Sequence, residues 1–271
     1  MKKALILLAV LFFAGLPPAA AISRCPGCSF LVNSDTVECP KCLKLLRWPF
    51  VPERSRRGRV IVRTGNDAFI RHPHANNRSW RDNRNAGGDL TGEIGVWGGP
   101  TTLRYLLRFE VAEAFTLAGV NLADFELKRV YLKITSDKNH GPAEMPVVIY
   151  PLTRPFQEGS DKFRTRDKNH RGCDWHYSAQ FLTWHNEGGD FDHKVSCRGV
   201  IKGGGNVSYI EISDIFRACW QNMKRSSGWQ DFGMIIMADP QKEIAPGFVT
   251  IFSLESRAQG SIMRSPELYF E

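Results

Sequence analysis

From Val60 onward the chain is written in short runs where apolar and polar side chains alternate, and helical periodicity is scarce. In "LRYLLRFEV", Tyr105, Leu107, Phe109 and Val111 fall on one face and Arg104, Leu106, Arg108 and Glu110 on the other. Successive side chains of a strand point to opposite sides of a sheet, so this run predicts a strand with its first set in the core. "LKRVYLKI" repeats the arrangement, with Val130, Leu132 and Ile134 inward and Arg129, Tyr131 and Lys133 outward. "VSYIEI", "FGMIIMA", "GFVTIFSL" and "ELYFE" add strands bounded by Gly, Pro, Asn or Asp. Many short strands with such turn signals predict an all-β, jelly-roll-like sandwich. One helix is expected, over "DIFRACWQNM", capped by Ser213 or Asp214, with Ile215, Ala218, Cys219 and Met223 on its apolar stripe. It reads as a lid over one end of the sandwich, with Cys219 an inert buried thiol.

The first 21 residues follow a different pattern. Two lysines, an apolar run from Ala4 to Ala14 and small residues at Ala19 and Ala21 have the layout of a secretory signal peptide. The apolar run is shorter than the roughly 20 residues a bilayer-spanning helix needs, which argues against a permanent membrane anchor. The expected organisation is a signal peptide over 1–21, a small cysteine unit over 22–46, a basic linker over 47–59 and the sandwich over 60–271. The expected location is secreted, periplasmic or on the cell surface.

The formal charge is +8 and falls to +6 once Lys2 and Lys3 are removed. A basic balance points to anionic partners, and export makes an acidic polysaccharide or cell-surface glycan a better fit than nucleic acid. The basic cluster "ERSRRGR" from Glu53 to Arg59 is too brief for a nucleic-acid arm and reads as a solvated tether.

Seven cysteines fall into two groups. Cys25, Cys28, Cys39 and Cys42 form two CPxC turns separated by ten residues. Such turns aim two thiolates each at one tetrahedral ion, the layout of a structural zinc ribbon with no open coordination position for catalysis. Oxidation to disulfides on export is the competing reading. Cys173 and Cys197 are left as a pair open to a disulfide across an irregular region.

The order of landmarks carries a resemblance. "DAFI", Trp97-Gly98, "RYLLRFEV", "VIYPLTRPFQEG", "CDWHYSAQFLTWHNEGGDFD", "YIEISDIFRACW", "DFGMII" and "FSLESRAQGSIMRSPELYFE" together resemble the DNRLRE-domain, or disaggregatase-related, family, which is similar to carbohydrate-binding module family 96. The resemblance spans 60–271. Phe156 and Glu158 fill a W-x-E position, so phenylalanine stands where the family has tryptophan, and the Asn-, Arg- and Gly-rich stretch 76–99 is unusually long. The resemblance implies a jelly-roll-like sandwich on exported or surface proteins, often appended to polysaccharide-acting enzymes, with several members binding glycans, acidic ones included, and sometimes calcium.

Binding an acidic polymer calls for arginines to meet carboxylates and aromatic rings to stack on sugars. Arg104, Arg108, Arg129, Tyr131 and Lys133 are the expected basic groove, on the premise that their two strands share one sheet face. Trp97, Trp175 and Trp184 lie in loop-rich segments as stacking candidates, with burial in a core as the alternative. Asp67, Asp190 and Asp192 are the candidate oxygen ligands for calcium. His176, His185 and His193 lie near Asp190 but match no metal-ligand spacing. No GxSxG or HExxH motif is present, and Glu158, Glu187 and Asp190 are the carboxylates left for hydrolytic chemistry. The leading expectation is a secreted non-catalytic carbohydrate-binding module. The alternatives are a structural cell-surface or extracellular-layer protein that contacts other proteins, and a polysaccharide-degrading or disaggregating enzyme.

Overall fold

The computed structural model describes residues 22–24, 31–33, 60–72, 87–97, 101–137, 141–159, 172–179, 182–225, 232–242, 246–254 and 264–271. The chain divides into two units, Met1–Ser55 and Arg56–Glu271. In the first, β1 (Ile22–Arg24) and β2 (Leu31–Asn33) pair antiparallel, with Ile22 opposite Asn33. The expected export segment, the linker, and Cys25, Cys28, Cys39 and Cys42 lie outside the described residues. Among the described residues no helix is long and apolar enough to cross a membrane.

The second unit is an all-β sandwich in which every described strand pair is antiparallel. Its long first strand, β3 (Val60–Arg71), belongs to two layers. Residues Val60 to Arg63 pair with β14 (Glu267–Phe270), which pairs in turn with β6 (Val130–Thr135), and β6 with β11 (Val207–Glu211). We call this layer I. After an irregularity between Thr64 and Asn66, β3 continues alongside β5 (Thr101–Phe109). Beyond β5 come β12 (Phe232–Ala238), β7 (Glu144–Pro151) and β10 (Cys197–Lys202), forming layer II. The extra residue shifts the two-residue alternation, so Val60 and Val62 before it and Phe69 after it all reach the same core. Along the flank, β4 (Thr91–Trp97) pairs with both β5 and β13 (Gly247–Phe252), and a Ser136–Ile251 bridge ties β13 to the end of β6.

The main core lies between the layers and contains Tyr105, Leu107 and Phe109 from β5, Val130, Leu132 and Ile134 from β6, and Leu268 and Phe270 from β14. For β5 and β6 these are the inward positions the alternation predicts. A second core covers the far side of layer II: Ala68, Ile70, Leu106, Val148, Ile235 and Met237 meet Phe156, Cys173, Trp175 and Trp184 from the excursion between β7 and β10. That excursion holds the small hairpin of β8 (Tyr177–Ala179) and β9 (Leu182–Thr183). Cys173 and Cys197 are both free thiols. Cys173 sits in the second core and Cys197 in the main one, on opposite sides of layer II, so the disulfide does not form; burial pushes both thiols up.

Two helical expectations change. The strand run ends at Phe109, and Val111 instead opens a short helix, α1 (Val111–Leu117), which buries Val111 and Phe115. The expected helix is present as α2 (Ser213–Arg225), with Ser213 as its first residue. The Ser213 hydroxyl accepts from Val130 N at 3.0 Å and donates to Glu211 Oε1 at 2.8 Å, tying the helix to β6. Ile215 and Phe216 are buried and Cys219 packs partly against the main core, whereas Ala218 is exposed. The Met223 side chain lies outside the described residues.

Candidate functional site

The expected basic groove does not assemble. Arg104 and Arg108 are on β5 in layer II, and Lys133 and Tyr131 are on β6 in layer I; both pairs point away from the core that the same two strands share. The candidates therefore occupy opposite outward faces of the sandwich.

On the outward face of layer I the register aligns Glu267, Lys133 and Tyr209 across three strands, and beside them Tyr269, Tyr131 and Glu211. Lys133 is not the solvent-facing cation that alternation suggests. Its Nζ donates to Glu267 Oε2 at 2.8 Å, with side-chain exposures of 7% and 0%. Tyr269 Oη donates to the same oxygen at 3.0 Å. Burial, and then the Glu267 carboxylate, push the Tyr209 phenol up to about 12, so it stays a neutral hydrogen-bonding group at neutral pH. The Tyr209 and Tyr269 rings meet edge to face at 6.0 Å, and Tyr209 remains 39% exposed. Arg129, ahead of the strand and exposed, donates from Nη1 to Tyr131 Oη at 3.3 Å.

On the outward face of layer II, Arg104 lies between Met237 and Ile70, Leu106 between Ile235 and Ala68, and Arg108 between Gly233 and Asn66. Arg108 donates to Asn66 Oδ1, and Asn66 Nδ2 donates to Glu158 Oε2 at 2.7 Å. The Asp67 amide donates to Glu158 Oε1 at 2.8 Å. Burial pushes the Glu158 carboxyl up, against the pull of the Asp67 amide, Asn66 and Arg108. Arg104 lies under the "GGD" turn: Nη1 donates to the Gly188 carbonyl at 2.7 Å, and the guanidinium stacks 4.6 Å from the Trp175 ring centroid. Burial pulls this guanidinium down to about 10.

The turn is built from its own polar groups. Asp190 Oδ2 accepts from His185 N at 2.9 Å and Oδ1 from Asn186 N at 2.8 Å, while Arg154 Nε approaches Oδ2 at 3.5 Å. Burial pushes this carboxyl up, but the His185 and Asn186 amides, His185 and Arg154 outweigh that and hold it below the usual carboxylate range. Trp184 Nε1 donates to the Asp174 carbonyl at 2.9 Å, and Asp174 Oδ1 accepts from the His176 and Tyr177 amides. Gly188, at φ +82°, presses on Arg104: a Cβ there would sit 2.6 Å from Nη1 and from the Trp175 ring.

Trp175 and Trp184 are thus core residues, 4% and 5% exposed, and not open stacking platforms. Trp97 ends β4, and its side chain lies outside the described residues. The three candidate calcium ligands have separate duties: Asp67 Oδ2 accepts from Leu254 N at 2.6 Å, Asp190 closes the turn, and Asp192 Oδ1 accepts from Lys194 N at 2.9 Å. Among the described residues no three His, Cys, Asp or Glu side chains gather as metal ligands. His176 Nδ1 bonds Glu187 Oε1 at 2.9 Å, and His193 packs on Phe191. Sequence reasoning missed Tyr209, Tyr269 and His72. The first two were visible as outward positions of "VSYIEI" and "ELYFE"; nothing in the sequence marks His72. Neither protein-family models nor curated proteins give a match to this chain.

Proposed function

We propose that residues 60–271 are a non-catalytic glycan-binding module of jelly-roll type, carried by an exported protein whose Cys25, Cys28, Cys39 and Cys42 hold a structural zinc. The observation that carries this reading is the tyrosine face of layer I, where Tyr209 is substantially open and Tyr131 half-buried on adjacent strands, with the buried Tyr269 ring meeting Tyr209 edge to face from the third. A phenol offers a sugar both a flat apolar surface and a polar tip. The Lys133–Glu267 pair, which also takes the Tyr269 hydroxyl, links two strands of this face, and a preorganised face loses less entropy on binding. Glu158, Glu187 and Asp190 are engaged with different partners, which supports a binding role over hydrolysis.

The proposed ligand is an acidic polysaccharide or cell-surface glycan, favoured by the net charge of +8, or +6 once Lys2 and Lys3 are removed. With Lys133 neutralised by Glu267, this face meets the polymer chiefly by stacking, so retention falls only modestly with salt. Affinity electrophoresis of the full chain through neutral and uronic-acid polysaccharides at two salt concentrations tests it. The expected result is retention that weakens about tenfold in Tyr209→Ala, equivalent to about 1.4 kcal/mol. Retention unchanged by both Tyr209→Ala and Tyr131→Ala overturns the assignment. A second reading, a surface-layer protein that packs against other chains, is favoured by Val200, Val207 and Tyr209 being exposed at about two fifths each; self-association without glycan retention selects it.

A further inference from the structure

Arg104 is a largely buried cation whose hydrogen bond among the described residues goes to a neutral carbonyl, that of Gly188. Among the described residues no carboxylate pairs with it, and its Nε is buried without a partner. Two further nitrogens in the same cluster share that condition. Trp175 Nε1 is buried and, among the described residues, unpartnered, on a residue only 4% exposed; His72 Nδ1 is likewise buried and unpartnered, on a residue that is itself partly exposed. The three side chains form one stack, with the guanidinium 4.6 Å from the indole and the imidazole edge-on to it at 4.8 Å.

Buried polar groups are nearly always satisfied, and buried charges are paired or bind an ion, because leaving them bare in a low-dielectric setting is costly. The unmet capacity here is of one kind. A guanidinium offers only donors, an indole offers only a donor, and an imidazole Nδ1 donates in one of its neutral tautomers or when protonated. The complementary ligand is acceptor-rich and negative. The Nε–H edge of an arginine is also part of the planar fork that matches a carboxylate, sulfate or phosphate.

We propose that His72, Arg104 and Trp175 form a binding site for an oxyanion, on the opposite layer from the tyrosine face and independent of it. Gly188 is part of the site's construction: its carbonyl orients Nη1, and its lack of a Cβ lets the turn close on the guanidinium and the indole.

The test is calorimetric titration of the full chain with inorganic phosphate, sulfate and D-glucuronate, each against chloride at matched ionic strength. Wild-type protein is expected to bind at least one of them. Arg104→Met is expected to weaken that binding at least tenfold. Trp175→Phe keeps the ring and removes only the Nε1–H, so it probes the site even if the arginine variant does not fold, and a loss of at least threefold is expected. Tyr209→Ala is expected to leave oxyanion binding unchanged while lowering glycan retention. Binding of all three anions assigns a free oxyanion, and binding of glucuronate alone assigns the carboxylate of a sugar acid; both support the site. No binding by the wild type, or equal binding by Arg104→Met and Trp175→Phe, overturns it.

Discussion

The two outward faces of the sandwich each bury a cation, and they treat it differently. On layer I, Lys133 meets Glu267 at 2.8 Å, a carboxylate delivered by the last strand, 134 residues further along the chain. On layer II, Arg104 meets the carbonyl of a glycine turn and the face of an indole. Desolvation is common to both sites, so what separates them is the source of the compensating charge. Where the chain supplies it, the cation serves the fold; where the chain does not, the cation remains able to serve a ligand.

The sharpest way to break this contrast is a pair of matched truncations. Lys133→Met strands the Glu267 carboxylate in a dry site and is expected to destabilise by about 3–5 kcal/mol. Arg104→Met removes a cation with no anion to strand among the described residues, and is expected to change stability by no more than about 1 kcal/mol in oxyanion-free buffer. Urea unfolding of the two variants decides it, and equal losses would mean that the two cations do the same work.

A smaller effect sharpens the contrast by acting on the turn that covers layer II. Gly188→Ala places a side chain at φ +82° and against Arg104 and Trp175, with an expected cost of about 1–3 kcal/mol and weakened oxyanion binding. Thermal unfolding with and without phosphate measures both. The smallest effect is in the pH profile. Because Asp190 is held below its unfolded value, its contribution is present above about pH 4 and is lost as pH falls through the lower folded value. Asp190→Asn should therefore flatten the acid limb of the stability profile. Glu158, pushed up by burial, has the opposite sign: its folded form holds a proton more readily, so ionising it as pH rises through the raised value lowers stability.

The inward sets of β5 and β6 were legible because each strand alternates cleanly about one core. Their assignment to different layers was not, since about 20 residues separate them and the chain between passes through α1 before reaching the other layer. Leu106 carried a readable signal: an apolar residue on an otherwise basic face, matched by "FGMIIMA" and "PVVIY", which are apolar on both faces and so belong to a layer covered twice. The seven-residue α1 was hidden by the strand alternation running into it. Lys133 read as solvated because its partner is distant in sequence, and that no carboxylate among the described residues pairs with Arg104 is a fact of the assembled fold, which no local pattern records.

The pairing of Val60 with Phe270 places the start of β3 and the end of β14 at one edge of a single antiparallel ladder. A pull between the chain segments flanking those residues would load the β3–β14 hydrogen bonds one at a time from that edge, as a zipper is drawn, and would not shear them together. Tension applied at those two residues is therefore expected to open the β3–β14 seam at a lower force than a shearing pull along the strands would need.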